Sequence, residues 1–136
     1  MNINKLRIDG NCPLDDFIGQ LDEDQHKSMH SILSRIDYIS HEPRELGKRI
    51  FEKIYDHKGG RAIGCMFKEK DVRVYCLYSI NAINNLFSYT AINLVMGGWK
   101  QNQANDTRRL KELASEIEHD QLNIQKEVIK LKFFSL

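Results

Sequence analysis

The sequence predicts an α+β domain in which a small, twisted antiparallel sheet is covered by helices. Three segments between residues 63 and 96 have the apolar pattern of β-strands, and other segments carry apolar residues at helical spacing. Their order along the chain is β-α-α-β-β-β-α. At 136 residues the chain fits one domain, 1–136, with room for a single core. We expect residues 118–136 to form a C-terminal helical extension.

The N-terminal part predicts one strand and two helices. The strand is expected at Ile3–Ile8, followed by a turn at Asp9–Pro13. Asp22 and Gln25 have the spacing of a capping box at the start of the first helix. That helix has an apolar stripe made of Met29, Ile32, Leu33, Ile36 and Ile39. A second helix is expected from Pro43, with a core face made of Leu46, Ile50, Phe51 and Ile54.

Three strands are then predicted to pair as antiparallel neighbours. The first alternates at Ile63, Cys65 and Phe67, and the second follows a turn at residues 69–71. The second alternates Val72, Val74, Cys76 and Tyr78 with Arg73, Tyr75 and Leu77. The third is the apolar run at residues 91–96, which stops at Gly97-Gly98-Trp99-Lys100.

The alternation in the second strand predicts a sheet with two unlike faces. If Val72 and Val74 face a core, then Arg73 and Tyr75 face the opposite way. A cation beside a phenol on an open sheet face, with Trp99 at the end of a neighbouring strand, suits a polyanion. We therefore expect the functional surface on that face.

The distribution of charge points the same way. The net charge is only +1, but residues 61–111 hold eight Lys and Arg residues against three acids, which is +5. The segments on either side each come to −2. A positive charge concentrated in one part of the chain favours a phosphate-bearing partner. A solvated surface of mixed charge remains the alternative.

The last helix is expected to begin near residues 105–107. Its apolar stripe is made of Leu110, Leu113, Ala114 and Ile117 and continues through Ile124, Val128 and Leu131. A helix of this length exceeds what a small sheet can cover. Its far end would pack on an N-terminal helix, on a second copy in a homodimer, or on another partner.

Several other classes of function are disfavoured. His26 and His30 have zinc-binding spacing, but exposed helix histidines explain them better, and no metal or other cofactor is expected. Gly59-Gly60-Arg61 lacks the features of a phosphate-binding loop. The three cysteines are read as reduced, buried residues, although a bridge between Cys65 and Cys76 is conceivable. No apolar run could span a membrane and no signal peptide is evident, so a cytoplasmic protein is expected.

The strand residues and the segment after them resemble a protein family. Residues 66–76, Met-Phe-Lys … Asp-Val-Arg-Val-Tyr-Cys, are followed by residues 92–101, Ile-Asn-Leu-Val-Met-Gly-Gly-Trp-Lys-Gln. A helix with Leu-Lys-Glu-Leu-Ala at residues 110–114 comes next. Over residues 46–117 this pattern is similar to the RelE/HigB-like toxins of bacterial toxin–antitoxin modules, in the RelE/ParE superfamily.

The resemblance implies an mRNA endoribonuclease, metal-independent and ribosome-associated or free, that a cognate antitoxin protein neutralises. Lys68, Arg73 and Lys100 match catalytic positions, where fixed positive charge would stabilise the phosphorane and hold the backbone. The residues expected to bind RNA are Arg61, Lys70, Tyr75, Trp99 and Arg108. Tyr75 or Trp99 would stack an unpaired base.

Two alternatives stay open. A non-catalytic member of the same fold could bind RNA or a protein, because the paired lysines typical of the family are replaced by Gln101-Asn102-Gln103 after Lys100. A phage-type interaction protein could instead use the C-terminal apolar stripe as its binding surface.

Overall fold

A mixed sheet with helices on both sides makes up the part of the chain that the computed structural model describes, residues 2–41, 52–56, 63–78, 91–118 and 123–129. Its strands are β1 (Asn2–Ile8), β2 (Glu52–Asp56), β3 (Ile63–Glu69), β4 (Val72–Tyr78), β5 (Ala91–Trp99) and β6 (Ile124–Val128). Its helices are α1 (Pro13–Ile18), α2 (Glu23–His41) and α3 (Gln103–Glu118), the last preceded by a 3-10 turn (Lys100–Asn102).

The strand order of the sheet is β2-β3-β4-β5-β1-β6. The antiparallel pairing predicted for β3, β4 and β5 is confirmed. A purely antiparallel sheet was wrong, because β1 pairs in parallel with β5. Asn4 and Asn93 face each other in that pairing, and the amide of Asn4 donates to Oδ1 of Asn93 at 3.0 Å. Asn93 in turn donates to the carbonyl of Leu77 at 3.1 Å, so these buried amides favour this register over a shifted one.

The first two helices follow β1. Helix α1, which begins at Pro13, was missed because the turn composition at residues 9–13 masked a helix start with Pro at its first position. The capping box of α2 is confirmed. The N–H of Gln25 donates to Oδ1 of Asp22 at 2.8 Å, and the N–H of Asp22 donates to Oε1 of Gln25 at 2.9 Å.

Two helix predictions were wrong where the structure describes the residues concerned. Ile54 lies in β2, whereas most of the helix predicted from Pro43 lies outside the described residues. Helix α3 ends at Glu118, and the segment expected to extend it contains the strand β6, which pairs antiparallel with β1. Ile124 and Val128 are four residues apart, a spacing that puts both on one face of either a helix or a strand.

The expectation of an open sheet face was also wrong, because helices cover both faces. Helices α1 and α2 pack on the face that carries Phe67 and Val74. On the opposite face, α3 packs on Tyr75 and Leu77 through its buried residues Leu110, Leu113, Ala114 and Ile117. The mostly apolar run of β5 already indicated that both faces are covered, because a strand buried on both faces does not alternate polar and apolar residues. None of the described helices has both the length and the apolar character that crossing a membrane requires.

The close packing of α1 on β5 predicts a strong size constraint at Gly97. A Cβ at this residue would overlap the ring of Phe17, so we expect Gly97→Ala to lower the free energy of unfolding by about 1–3 kcal/mol. Urea denaturation measures the change. Gly19→Ala is the control: its Cβ would have only ordinary contacts, at 3.5 and 3.6 Å, and its φ is −64°. We expect this control to gain about 0.4–1 kcal/mol. Equal stabilities for the two variants would contradict this packing.

Candidate nucleic-acid interface

Four cationic residues meet at one corner of the sheet, where β3 turns into β4 and β5 leads into α3. Lys68 lies directly opposite Arg73 in the β3–β4 pairing, and Lys70 is in the turn between these strands. Lys100 follows β5, and its N–H donates to the carbonyl of Asp71 at 2.8 Å. We call Lys68, Lys70, Arg73 and Lys100 the basic corner. Sequence reasoning placed these residues close together, and the structure does so by strand pairing.

The surroundings of Arg73 differ from those expected. The residue is only 5% exposed, beneath the start of α3, and not on an open face. Nε donates to Oε1 of Gln103 at 3.1 Å, and Nη1 donates to the carbonyls of Lys70 and Val72 at 2.7 and 3.0 Å. The partner Gln103 was missed, although the amide-rich segment after Lys100 was a visible departure from a lysine pair.

Arg73 has no carboxylate partner within the described part of the chain. Its three acceptors are an amide oxygen and two backbone carbonyls, all formally neutral. These bonds occupy Nε and Nη1, and none of the described residues supplies an acceptor for Nη2. A guanidinium has five N–H donors and stays charged at any physiological pH. The carboxylate of Asp106 lies over Gly98, the residue paired with Arg73, but it makes no ion pair with the guanidinium. An anion that bonds directly to the buried charge is therefore favoured at this site.

The hairpin turn beside Arg73 is held in an uncommon conformation. Lys70 has φ +52°, in the left-handed region that residues other than glycine rarely adopt. The carbonyl of Lys70 is the closest acceptor for Arg73, at 2.7 Å. Hydrogen bonding to the guanidinium therefore stabilises a turn that is strained by about 1 kcal/mol or more.

The two aromatic residues expected to stack a base do not lie beside an exposed Arg73. Tyr75 is fully buried in the core under α3, so the prediction of an exposed phenol was wrong. Trp99 is half-buried on the other face of the sheet. There its ring packs against Phe17 with a centroid distance of 4.8 Å and an interplanar angle of 61°. The twofold alternation of strands puts Trp99 and Arg73 on opposite faces.

The remaining predicted residues fall into two groups. Lys68, Lys70 and Lys100 are exposed at the basic corner. Arg108 is exposed on α3, and its Nη1 donates to Oδ1 of Asn105 at 3.4 Å. Arg61 lies outside the described residues.

Carboxylates also lie near the basic corner. Glu69 is paired with Arg35 of α2 at 2.6 Å, on the face opposite to Arg73. Asp71 and Lys70 line a shallow cleft of about 250 Å³ together with Asp22 and Asp24. Lys70 therefore borders three carboxylates on the α2 side of the corner, whereas Lys68 and Arg73 lie on the α3 side.

Asp106, in the first turn of α3, packs against β5 at Gly98. A Cβ at Gly98 would overlap the carboxylate of Asp106, which shows how tightly the first turns of α3 approach β5. Desolvation by burial raises the pKa of Asp106 above its ordinary value.

Other candidate clusters have ordinary explanations. His26 and His30 line an apolar cleft of about 470 Å³ with Ile18, Met29 and Leu33. Among the residues that the structure describes, no group of three or more His, Cys, Asp or Glu side chains is arranged to hold a metal ion. The three cysteines are free and buried, as expected, and burial raises the pKa of the Cys76 thiol.

Comparisons of this chain with models of protein families, with curated proteins and with solved structures give no significant match.

The raised pKa of Asp106 predicts a pH dependence of stability. A carboxyl whose pKa is higher in the folded state leaves stability unaffected while it is protonated and lowers the free energy of unfolding once the pH has risen through the folded pKa. We therefore expect Asp106→Asn to be more stable than the wild type at about pH 7. The difference should shrink toward zero as the pH falls below 3.8, the ordinary pKa of an aspartate, where both side chains are neutral. Urea denaturation at several pH values measures this, and a difference that widens at low pH would contradict it.

Proposed function

We propose that this chain is an RNA-binding protein of RelE/HigB-like architecture, and that the basic corner contacts the sugar–phosphate backbone of a single strand. The observation that carries the proposal is the buried guanidinium of Arg73, which has neutral acceptors and no carboxylate partner among the described residues. Three exposed lysines surround it at the same corner.

Physical reasons favour a phosphate over a carboxylate side chain as the anion. A guanidinium forms two parallel hydrogen bonds with phosphate oxygens, and Nη2 of Arg73 has donors left for such a contact. Lys68, Lys70 and Lys100 can neutralise neighbouring phosphates along a chain, whereas an isolated carboxylate would use only one of these charges.

The resemblance to RelE/HigB-like toxins supports RNA as the polyanion. Part of the order expected with that resemblance occurs in the described elements: β1, α2, the strands β3 to β5 and α3 follow one another, although α1, β2 and β6 were not expected. On this reading the partner proteins are a cognate antitoxin and, in the cell, the ribosome.

Cleavage of the bound RNA is the second candidate function. It is favoured by the position of Lys68 directly opposite Arg73, which puts two cations on the α3 side of adjacent strands. Such a pair could stabilise the dianionic phosphorane formed when the 2′-oxygen attacks the phosphate. Tyr75 is fully buried, so it has no part as a proton donor in this arrangement.

The binding proposal predicts separate effects on stability and on affinity for Lys70→Gly. Glycine adopts φ +52° without strain and keeps the carbonyl that accepts from Arg73, so the variant should be at least as stable as the wild type. Log affinity falls as log salt concentration rises, and removing one phosphate contact should make this fall less steep by about 0.7 for a single strand. Fluorescence anisotropy with a short labelled single-stranded RNA, at several salt concentrations, measures both affinity and slope.

Lys27→Ala is the matched control, because this exposed lysine of α2, ion-paired with Asp24 at 3.9 Å, lines the separate cleft of His26 and His30. Its salt slope should stay at the wild-type value. Lys100→Ala should behave like Lys70→Gly. If Lys27→Ala lowers affinity as much as the two corner variants do, binding is non-specific and the proposal fails.

Cleavage is tested by expression in a bacterium and by incubation with labelled RNA. Growth arrest by the wild type that Lys68→Ala abolishes, together with RNA products ending in a cyclic phosphate, is the result expected of a nuclease. Harmless expression of both chains with intact RNA-binding would reject cleavage and leave the binding function.

A further inference from the structure

We infer that the segment 100–106, which we call the covering turn, closes over Arg73 and must open before an RNA phosphate reaches the guanidinium. This inference rests on the proposed function, and it adds a conformational step that regulates access to the site. The contact that holds the covering turn down is the hydrogen bond from Nε of Arg73 to the side chain of Gln103.

The described contacts that attach the covering turn to the sheet are mainly polar. Gln103 contacts Arg73, Asp106 lies over Gly98, and the N–H of Lys100 donates to the carbonyl of Asp71. The apolar anchors of α3 begin only at Leu110, because the side chains of residues 103–109 are exposed or half-buried. Opening the first turn about Leu110 would therefore expose little apolar surface, and such segments open at a small fraction of the global unfolding free energy.

The chemistry of the contact makes it exchangeable. Gln103 offers Arg73 a neutral amide oxygen, whereas a phosphate offers charged oxygens that form shorter and stronger hydrogen bonds to a guanidinium. An anion can thus replace the amide with a net gain. A glutamate at this position would instead pair with Arg73 as a permanent counter-ion.

The expected state without RNA is closed, with Arg73 buried and its Nε bonded to Gln103. In the RNA-bound state the covering turn has moved away, and Nε and Nη2 of Arg73 donate to phosphate. Only differential affinity for the open state can drive this shift.

The test compares Gln103→Ala with Gln103→Glu. Gln103→Ala removes the contact, so hydrogen exchange of the amides at 100–106 should be about tenfold faster than in the wild type, and RNA affinity should rise by up to the same factor. Gln103→Glu replaces the neutral contact by an ion pair of nearly the same shape. Its exchange should be slower and its RNA affinity about tenfold lower. The fluorescence of Trp99, the one tryptophan of the chain, reports on the adjoining turn in the same samples.

Asn105→Asp is the matched control for added charge, because Asn105 is an exposed residue of the same turn that contacts Arg108 and not Arg73. It should leave exchange at 100–106 at the wild-type rate and reduce RNA affinity less than Gln103→Glu does. Asn105→Ala is the matched control for Gln103→Ala, because it also removes one side-chain amide from the same turn.

The two proposals fail in different ways. If RNA binding depends on Lys70 and Lys100 but Gln103→Ala changes neither exchange nor affinity, then the covering turn does not gate the site and only this inference is overturned. If exchange responds in both Gln103 variants and no variant binds RNA, the proposed function is rejected and the gating of RNA with it. Equal affinities for Gln103→Glu and Asn105→Asp would also overturn the inference.

Discussion

The burial of one positive charge, that of Arg73, constrains the corner of the fold where β3, β4, β5 and α3 meet. Water has little access to a residue that is only 5% exposed, so the protein must supply most of the hydrogen-bond acceptors for its guanidinium. It does so from three places: the strained turn at Lys70, the strand residue Val72, and the first residue of α3, Gln103. The guanidinium thereby ties a hairpin turn to a helix that is distant in sequence, and both depend on it.

The covered second face of the sheet explains why the functional surface is a corner. Once α3 packs on Tyr75 and Leu77, the middle of that face has no room for a ligand. The residues that stay accessible are those near the N-terminal end of α3, before its first buried apolar residue Leu110, and they include Lys68 and Lys100. Strand alternation then puts Trp99 on the opposite side, against Phe17. A backbone-binding function, dominated by phosphate contacts, fits this arrangement better than recognition of stacked bases.

Part of the fold followed directly from local sequence. The capping box at Asp22 and Gln25, the strands β3 to β5 and the apolar stripe of α3 depend on neighbouring residues alone, and all are found. The errors arose where a pattern satisfied two periods. The four-residue spacing of Ile124 and Val128 fits a helix and a strand equally, and pairing with β1 decides for the strand. For the site, the sequence predicted that four residues lie close together, namely Lys68, Lys70, Arg73 and Lys100. It did not predict that the start of α3 covers Arg73.

By itself, the sequence determined the type of each helix or strand whose apolar residues follow one clear period. It also determined which strands are antiparallel neighbours and that positive charge is concentrated between residues 61 and 111. Only the tertiary structure decided that β1 lies parallel to β5, that helices pack on both faces, and that Arg73 is enclosed by Gln103. The physical reason is the range of the interactions. Periodicity and capping act over a few residues, whereas strand order and burial depend on contacts between segments that the sequence pattern does not relate.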